Sequence, residues 1–386
     1  MDTACHDALI EAGFRPEAIS RVYDLLAQWV AEKRIPGAVV AIGRSQALIP
    51  PQAFGFAALE PEKRPLTIDT VYDLASLTKV VATTTCALIL LEQGAFRLDD
   101  AVHTFIPEFI HKNITIRHLL THTSGLPSSS PELDSAADPA EMMATIYRMP
   151  LAYETGGRVE YTCLGFILLG ELLSRTGRKP LNELAEEWIF APLNMQDTVF
   201  LPGPRLKERT APTEPDPKTG MLLQGVVHDG NARRLGGVAG NAGLFSTAHD
   251  LAVFCQMYLN QGTSGNKVVL SPAAVHLATR NHTPGLNHCR GLGWVIKDHQ
   301  ANLPAGDLFS PHSFGHTGFT GTMIWIDPEL DLFLVLLTNG VHPHRHLWRR
   351  ELPHMRLRPL VANAVVAALA TGDDKSRASC RPHPAA

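Results

Sequence analysis

Apolar positions at three- and four-residue spacing (Ile19, Val22, Tyr23, Leu26, Trp29, Val30) predict an amphipathic helix over 16–33. Pro36-Gly37 breaks it. The run Ala38 to Ile42 then reads as a strand, followed by a second short apolar stretch over 54–58. Thr70 to Leu74 is an extended lead-in to a long helix over 76–93, which Gly94 ends at the position where a left-handed residue is favoured. That helix carries Val80, Val81, Ala82, Cys86, Leu88, Ile89 and Leu91, so it is apolar nearly all round and is expected to be buried on every side. Further helices fit 115–121, 140–148, 161–176 and 247–260. The last opens on Thr247-Ala248-His249-Asp250, a capping pattern.

The stretch 203–243 is rich in proline and glycine and reads as long loops. Strands return at 291–296, 322–326 and 332–337, with Asp327-Pro328-Glu329 as a turn between the last two. An apolar helix over 359–370 follows, and the tail from Thr371 is expected to fray. The order is helix and strands, a long helical insertion, then strands and a final helix. It predicts an α+β fold: an antiparallel sheet flanked by terminal helices, plus a mostly helical domain. Residues 1–75 together with 286–372 would form the sheet domain, 76–285 the helical domain, and 373–386 a disordered tail.

The chain has 386 residues, which allows two or three domain-sized units, and a hydrophobic share of 45% that can offset chain entropy. Basic side chains number 34 against 38 acidic, a formal net charge of -4. A nucleic-acid binder shows a basic excess, so that class is excluded. No uninterrupted apolar run approaches the roughly 18 residues that span a bilayer, and the first ten residues lack the charge and apolar core of a secretion signal. Six cysteines are spread singly, which fits reduced thiols rather than disulfides or zinc. A cytoplasmic protein without metal or cofactor is the expectation.

Three short stretches can carry chemistry. Ser76-Leu77-Thr78-Lys79 stands in the first turn of the apolar helix. A lysine three residues after a serine lies one turn away on the same face, within reach of its hydroxyl. Burial would lower the lysine pKa and leave a neutral amine as base for the serine. Tyr161-Thr162-Cys163 precedes another apolar run, and a phenol beside an ammonium group can shuttle a proton. Gly315-His316-Thr317-Gly318 leads into the strand at 322–326. Its glycines would let a substrate backbone lie against the strand, and a backbone N–H there could join that of Ser76 in an oxyanion hole.

In this order, with His316 lying 240 residues after Ser76, the three boxes resemble those of the serine β-lactamase and penicillin-binding-protein superfamily. The nearer likeness is to class C β-lactamases, D-alanyl-D-alanine peptidases with a His-Thr-Gly box, and family VIII carboxylesterases. It covers nearly the whole chain: Ile116 to Leu126, Gly240 to Thr247 and Gly291 to Trp294 also look like family segments. The resemblance implies the β-lactamase-like fold and a serine hydrolase. Ser76 would be the nucleophile, Lys79 its base partner and Tyr161 a second proton carrier. Cys163, His316, Thr317 and Gly318 would meet substrate. The substrate would be a small ester, an amide or a peptidoglycan-derived muropeptide or D-amino peptide. The alternatives are a weak β-lactamase and a non-catalytic member that binds a peptide or protein partner. The oligomeric state is left open.

Two residues depart from the family pattern. Cys163 stands where the second box has Asn, Ser or Asp, and it is a weak hydrogen-bonding group. His316 stands where most β-lactamases have lysine, and a histidine near neutral pH is mostly uncharged, which suits a substrate that need not be strongly anionic. Lys218-Thr219-Gly220 matches the lysine form of the third box, but it follows Pro215-Asp216-Pro217 and reads as a β-turn. His122 to Gly125 reads as a helix stop. His228-Asp229 fits a dyad or a shaped substrate rim, with the rim preferred. His342, His344, His346 and His354 lie among Arg345, Arg349, Arg350, Arg356 and Arg358. They read as a solvated basic loop, with a metal site as the alternative.

Overall fold

The computed structural model describes residues 3–128, 130–298, 304–345 and 353–370. The main sheet is built from both ends of the chain. Its strands are β1 (Gly37–Arg44), β2 (Gln52–Ala58), β3 (Arg64–Pro65), β4 (Val295–Ile296), β5 (Phe314–Thr317), β6 (Met323–Asp327) and β7 (Leu332–Leu337). They lie in the order β4-β5-β6-β7-β1-β2-β3, with the short strand Ala47–Leu48 beside β1. The pairings are antiparallel, and Ala41 lies opposite Val335 where the two ends of the chain meet.

The central strands are apolar throughout because both faces of the sheet are covered. Val39 and Ala41 of β1, with Phe333, Val335 and Leu337 of β7, face one core. Ala38, Val40 and Ile42, with Leu332, Leu334 and Leu336, face the other. The second core is closed by helix α1 (Pro16–Ala31) and by the C-terminal helix Pro353–Val366, through Ile19, Val22, Leu26, Trp29, Leu357 and Val361. The first core merges with the helical half of the molecule, where Ala248–Leu259 packs on the sheet.

The apolar helix after Ser76 runs from Ala75 to Glu92 in three parts: a 3-10 turn (Ala75–Leu77), a π-helical stretch (Lys79–Thr84) and an α-helix (Thr85–Glu92). The Thr85 hydroxyl donates to the Val80 carbonyl five residues back, which fits the wide turn. By length and composition this helix could cross a membrane, contrary to the expectation that no segment would. Yet 83% of it is buried inside the protein, so it is the core helix of this fold.

Other departures are local. The final helix starts at Pro353, before the expected 359, and carries Pro359 within it. The stretch 203–243 contains two short helices, Pro204–Arg209 and Gly230–Arg234. Of 291–296, only Val295–Ile296 pairs as a strand. The helix expected from Tyr161 begins at Cys163, because the Thr162 hydroxyl accepts the Leu164 N–H and caps it. The tail from Thr371 lies outside the described residues.

Candidate active site

The backbone turn that presents Ser76 is held from below. Ala75 has a φ of 46°, in the left-handed region that costs an L-residue energy. The buried Asp73 carboxylate offsets that cost by accepting the Ala75 N–H at 2.8 Å and the His228 N–H at 2.6 Å. Burial pushes the Asp73 pKa up, although these two hydrogen bonds favour the carboxylate. Tyr72–Asp73 also pairs with Leu244–Ser246, so the turn is anchored in a small three-stranded sheet.

From the other side, the segment after β5 grips the same turn. The Thr320 hydroxyl donates to the Asp73 carbonyl at 2.8 Å, and the Thr322 hydroxyl to the Leu74 carbonyl at 3.0 Å. A side chain at Gly318 would meet the Thr322 hydroxyl oxygen at 2.1 Å. Gly318 is therefore required by close approach, not by a turn.

Ser76, Lys79 and Tyr161 meet. Lys79 is fully buried, and its ammonium group donates to Ser76 Oγ at 3.2 Å, Cys163 Sγ at 3.5 Å and the Asn241 carbonyl at 2.9 Å. Tyr161 Oη donates to Ser76 Oγ at 2.7 Å. The expectation of a neutral lysine is not met. Burial does pull the Lys79 pKa down, but Cys163 and Tyr161, which become anions when they lose a proton, outweigh it and the net shift is upward. Burial raises the Tyr161 phenol, against the pull of Lys79. The three acceptors around Lys79 Nζ suit an ammonium and the donating Tyr161 hydroxyl a neutral phenol, with Ser76 Oγ accepting from both.

Sequence reasoning missed the supports of this cluster. His122, read as a helix stop, is fully buried, and its Nδ1 accepts the Thr162 N–H. Its ring lies 4.6 Å from that of Tyr161 and 5.1 Å from that of Phe166. Asn241 acts through its carbonyl, which any residue type carries, so no side-chain pattern could reveal it. The Gly240 carbonyl beside it accepts from Thr83, which fixes the loop against the core helix.

The third box lines the cleft above Ser76. The cleft holds about 420 Å³ and is lined by Ser76, Tyr161, Arg290, His316, Thr317 and Phe319 among others. His316 Nδ1 bonds the Thr317 carbonyl at 2.8 Å, and its buried Nε2 has no partner among the described residues. Burial, with Lys79 and Arg290 nearby, holds its pKa well below the usual histidine range. It is neutral. Cys163 turns its sulfur to Lys79 and is not part of the cleft lining.

The C-terminal basic segment is solvated only in part: His344, Arg345 and Arg356 are exposed, as expected. His342, His354 and Arg358 are buried. His342 Nε2 accepts the Leu59 N–H, and Arg358 donates to the carbonyls of Gly318 and Thr322, bracing the third box. Burial prevails here because these side chains satisfy backbone groups that loops would otherwise leave unpaired. His346, Arg349 and Arg350 lie outside the described residues, and among those described no cluster suits a metal. His228 pairs with Glu214 at 2.8 Å rather than with Asp229, and its ring stacks on Phe319 at the cleft rim. Asp229 caps the helix at 230–234. Lys218 and Thr219 sit in a turn closed by Asp216, away from the cleft.

A family model described as Beta-lactamase matches residues 22–352. The chain belongs to the beta-lactamase family. It is a serine hydrolase of that family, with the family's α+β fold. A protein of Escherichia coli (strain K12) named "Putative D-alanyl-D-alanine carboxypeptidase" is 31% identical over 371 residues, covering 86% of this chain and 84% of its own. Among solved structures, "EstCE1, a hydrolase with promiscuous acyltransferase activity" superposes with a TM-score of 0.72 at 24% identity, covering 90% of this chain and 98% of its own. Simvastatin synthase (LovD) from Aspergillus terreus gives 0.73 at 21%, covering 92% and 99%. These two likenesses concern the fold.

Proposed function

We propose that the chain hydrolyses a small carboxylic ester or a peptidoglycan-derived D-amino peptide through an acyl intermediate on Ser76. The observation that carries this reading is the double contact on Ser76 Oγ, from Tyr161 Oη at 2.7 Å and Lys79 Nζ at 3.2 Å. A hydroxyl that already accepts twice has no base for its own proton. Loss of one proton from the Lys79–Tyr161 pair supplies that base, and the remaining ammonium stabilises a phenolate at Tyr161.

Ser76 then gives its proton to Tyr161 as Oγ bonds to the substrate carbonyl carbon and the π pair moves to the oxygen. The N–H of Ser76, in a first turn with no intrahelical acceptor, is a group suited to hold this oxyanion. Collapse breaks the bond to the leaving alcohol or amine, which takes the proton from Tyr161. Water repeats the sequence: it loses a proton to Tyr161, attacks the acyl carbon, and Ser76 leaves with that proton. The name of the Escherichia coli relative supports a D-alanyl peptide as the substrate class.

The test compares wild type and Ser76→Ala on p-nitrophenyl esters, nitrocefin and muropeptides, with mass spectrometry after a fluorophosphonate. A single adduct on Ser76 and loss of turnover in the variant are expected. Equal turnover by both proteins overturns the reading.

A further inference from the structure

The N–H groups of the two residues that flank Tyr161 both donate to His122. Glu160 gives its N–H to the His122 carbonyl at 2.9 Å, and Thr162 gives its N–H to the ring at Nδ1, 3.3 Å away. The carbonyls that follow extend the grip. Thr123 accepts the Gly156 N–H at 2.8 Å, Gly125 the Ala152 N–H at 2.8 Å, and Pro127 the Thr162 hydroxyl at 2.7 Å. The turn that sequence shows as a helix stop is thus a template on which the segment 152–162 is laid, and that segment carries the active-site phenol. Tyr161 needs such a mount. It stands two residues before the helix Cys163–Gly177, outside its hydrogen-bond ladder, so no regular element holds it.

Backbone carbonyls are common to every residue type, but His122 adds its side chain. An apolar ring would fill this fully buried position at lower cost, because the imidazole leaves Nε2 there without a partner among the described residues. What an apolar ring lacks is the acceptor. With Nδ1 taking the Thr162 N–H, the ring proton sits on Nε2. Burial, with Arg290 and Lys79 nearby, holds the ring neutral, so the acceptor is present. The ring face completes the mount, 4.6 Å from the Tyr161 ring and 5.1 Å from that of Phe166. His122 also has a φ of 57°, in the left-handed region. Such strain persists where surrounding contacts over-determine it, and it gathers at active sites.

We propose that His122 is a positioning residue for the acyl-serine reaction, fixing Tyr161 so that its Oη stays on Ser76 Oγ. Proton transfer across that 2.7 Å contact tolerates little displacement, and a shift of about 1 Å can slow a reaction by about 100-fold. His122 does not line the cleft, so it acts through Tyr161 and not on the substrate. The inference rests on the acyl-serine reading and adds to it a residue remote from the bond that breaks.

A mutant cycle tests it. His122→Leu and Tyr161→Phe are made singly and together. For each folded protein, kcat/KM for p-nitrophenyl butyrate and the rate of Ser76 labelling by a fluorophosphonate are measured below its melting temperature. His122→Leu should slow both by about tenfold or more. The double variant should lie within about threefold of Tyr161→Phe, because the two residues act as one unit, whereas independent packing effects multiply. His122→Asn and His122→Gln carry the test if the leucine protein does not fold. Asn sets an oxygen near the place of Nδ1 and tolerates a left-handed φ, while the Gln oxygen reaches one bond farther. His122→Asn should therefore be faster than His122→Gln by about tenfold. A folded His122→Leu protein as fast as wild type, losses that multiply, or equal rates for the Asn and Gln variants overturn the proposal. The labelling rate reads it even if no ester is cleaved, whereas a wild-type Ser76 left unmodified overturns the hydrolase reading.

Discussion

A Cβ placed on Gly318 would stand 2.3 Å from the carbonyl oxygen of Leu74, two residues before Ser76. The strand that lines the cleft and the turn that presents the nucleophile are in backbone contact, with Thr320 and Thr322 as the clamps. Gly318→Ala must push them apart. Urea denaturation should show a loss of about 1–3 kcal/mol, and ester turnover should fall by more than the change in folded fraction accounts for. Unchanged turnover would mean that the spacing between strand and nucleophile is not critical.

Tyr161→Phe removes one oxygen and keeps the tilted ring contact with His122. Stability should change by about 1 kcal/mol or less, while kcat falls by roughly 10²–10⁴. Retention of kcat would assign all proton transfer to Lys79.

The pH dependence follows from the upward shifts of both Lys79 and Tyr161. The resting pair carries one proton too many for Ser76 to react. Hence kcat/KM for a neutral ester should climb with pH above about 7, by about tenfold per unit while the pair stays protonated. A profile flat from about pH 6 to about pH 9 would contradict the ammonium–phenol ground state.

Acid should destabilise the fold through His122, His316 and His354, which burial holds well below the usual histidine range. The unfolded chain binds protons at these rings below about pH 6.5, and the folded chain does not. Stability is therefore complete above that pH and falls as pH drops, by up to about 1.4 kcal/mol per histidine per unit. Chemical denaturation at about pH 7.5 and about pH 5.5 measures it, and His354→Gln should flatten the slope. An equal slope in the variant removes His354 from the account.

Much of this architecture is written in local pattern. The core helix announces itself because residues at every angle are apolar, and β7 was legible to the residue because alternation between two cores leaves no polar position. The spacing within Ser76-x-x-Lys79 follows from one helical turn. Those are short-range facts, and sequence alone determined them.

Only the tertiary structure decided the charge states and the partners. Lys79 looked like a neutral base because burial lowers an amine, yet Cys163 and Tyr161 arrive from 82 or more residues away and reverse the sign. Arg358 and His342 looked solvated because basic residues near a chain end usually are, but carbonyls and amides of distant loops take up their hydrogen bonds. The reason is common to all these cases. Periodicity records which face of an element is apolar, whereas a titratable group answers to whatever the fold brings within a few ångströms of it, and that neighbourhood is assembled from segments that share no local pattern.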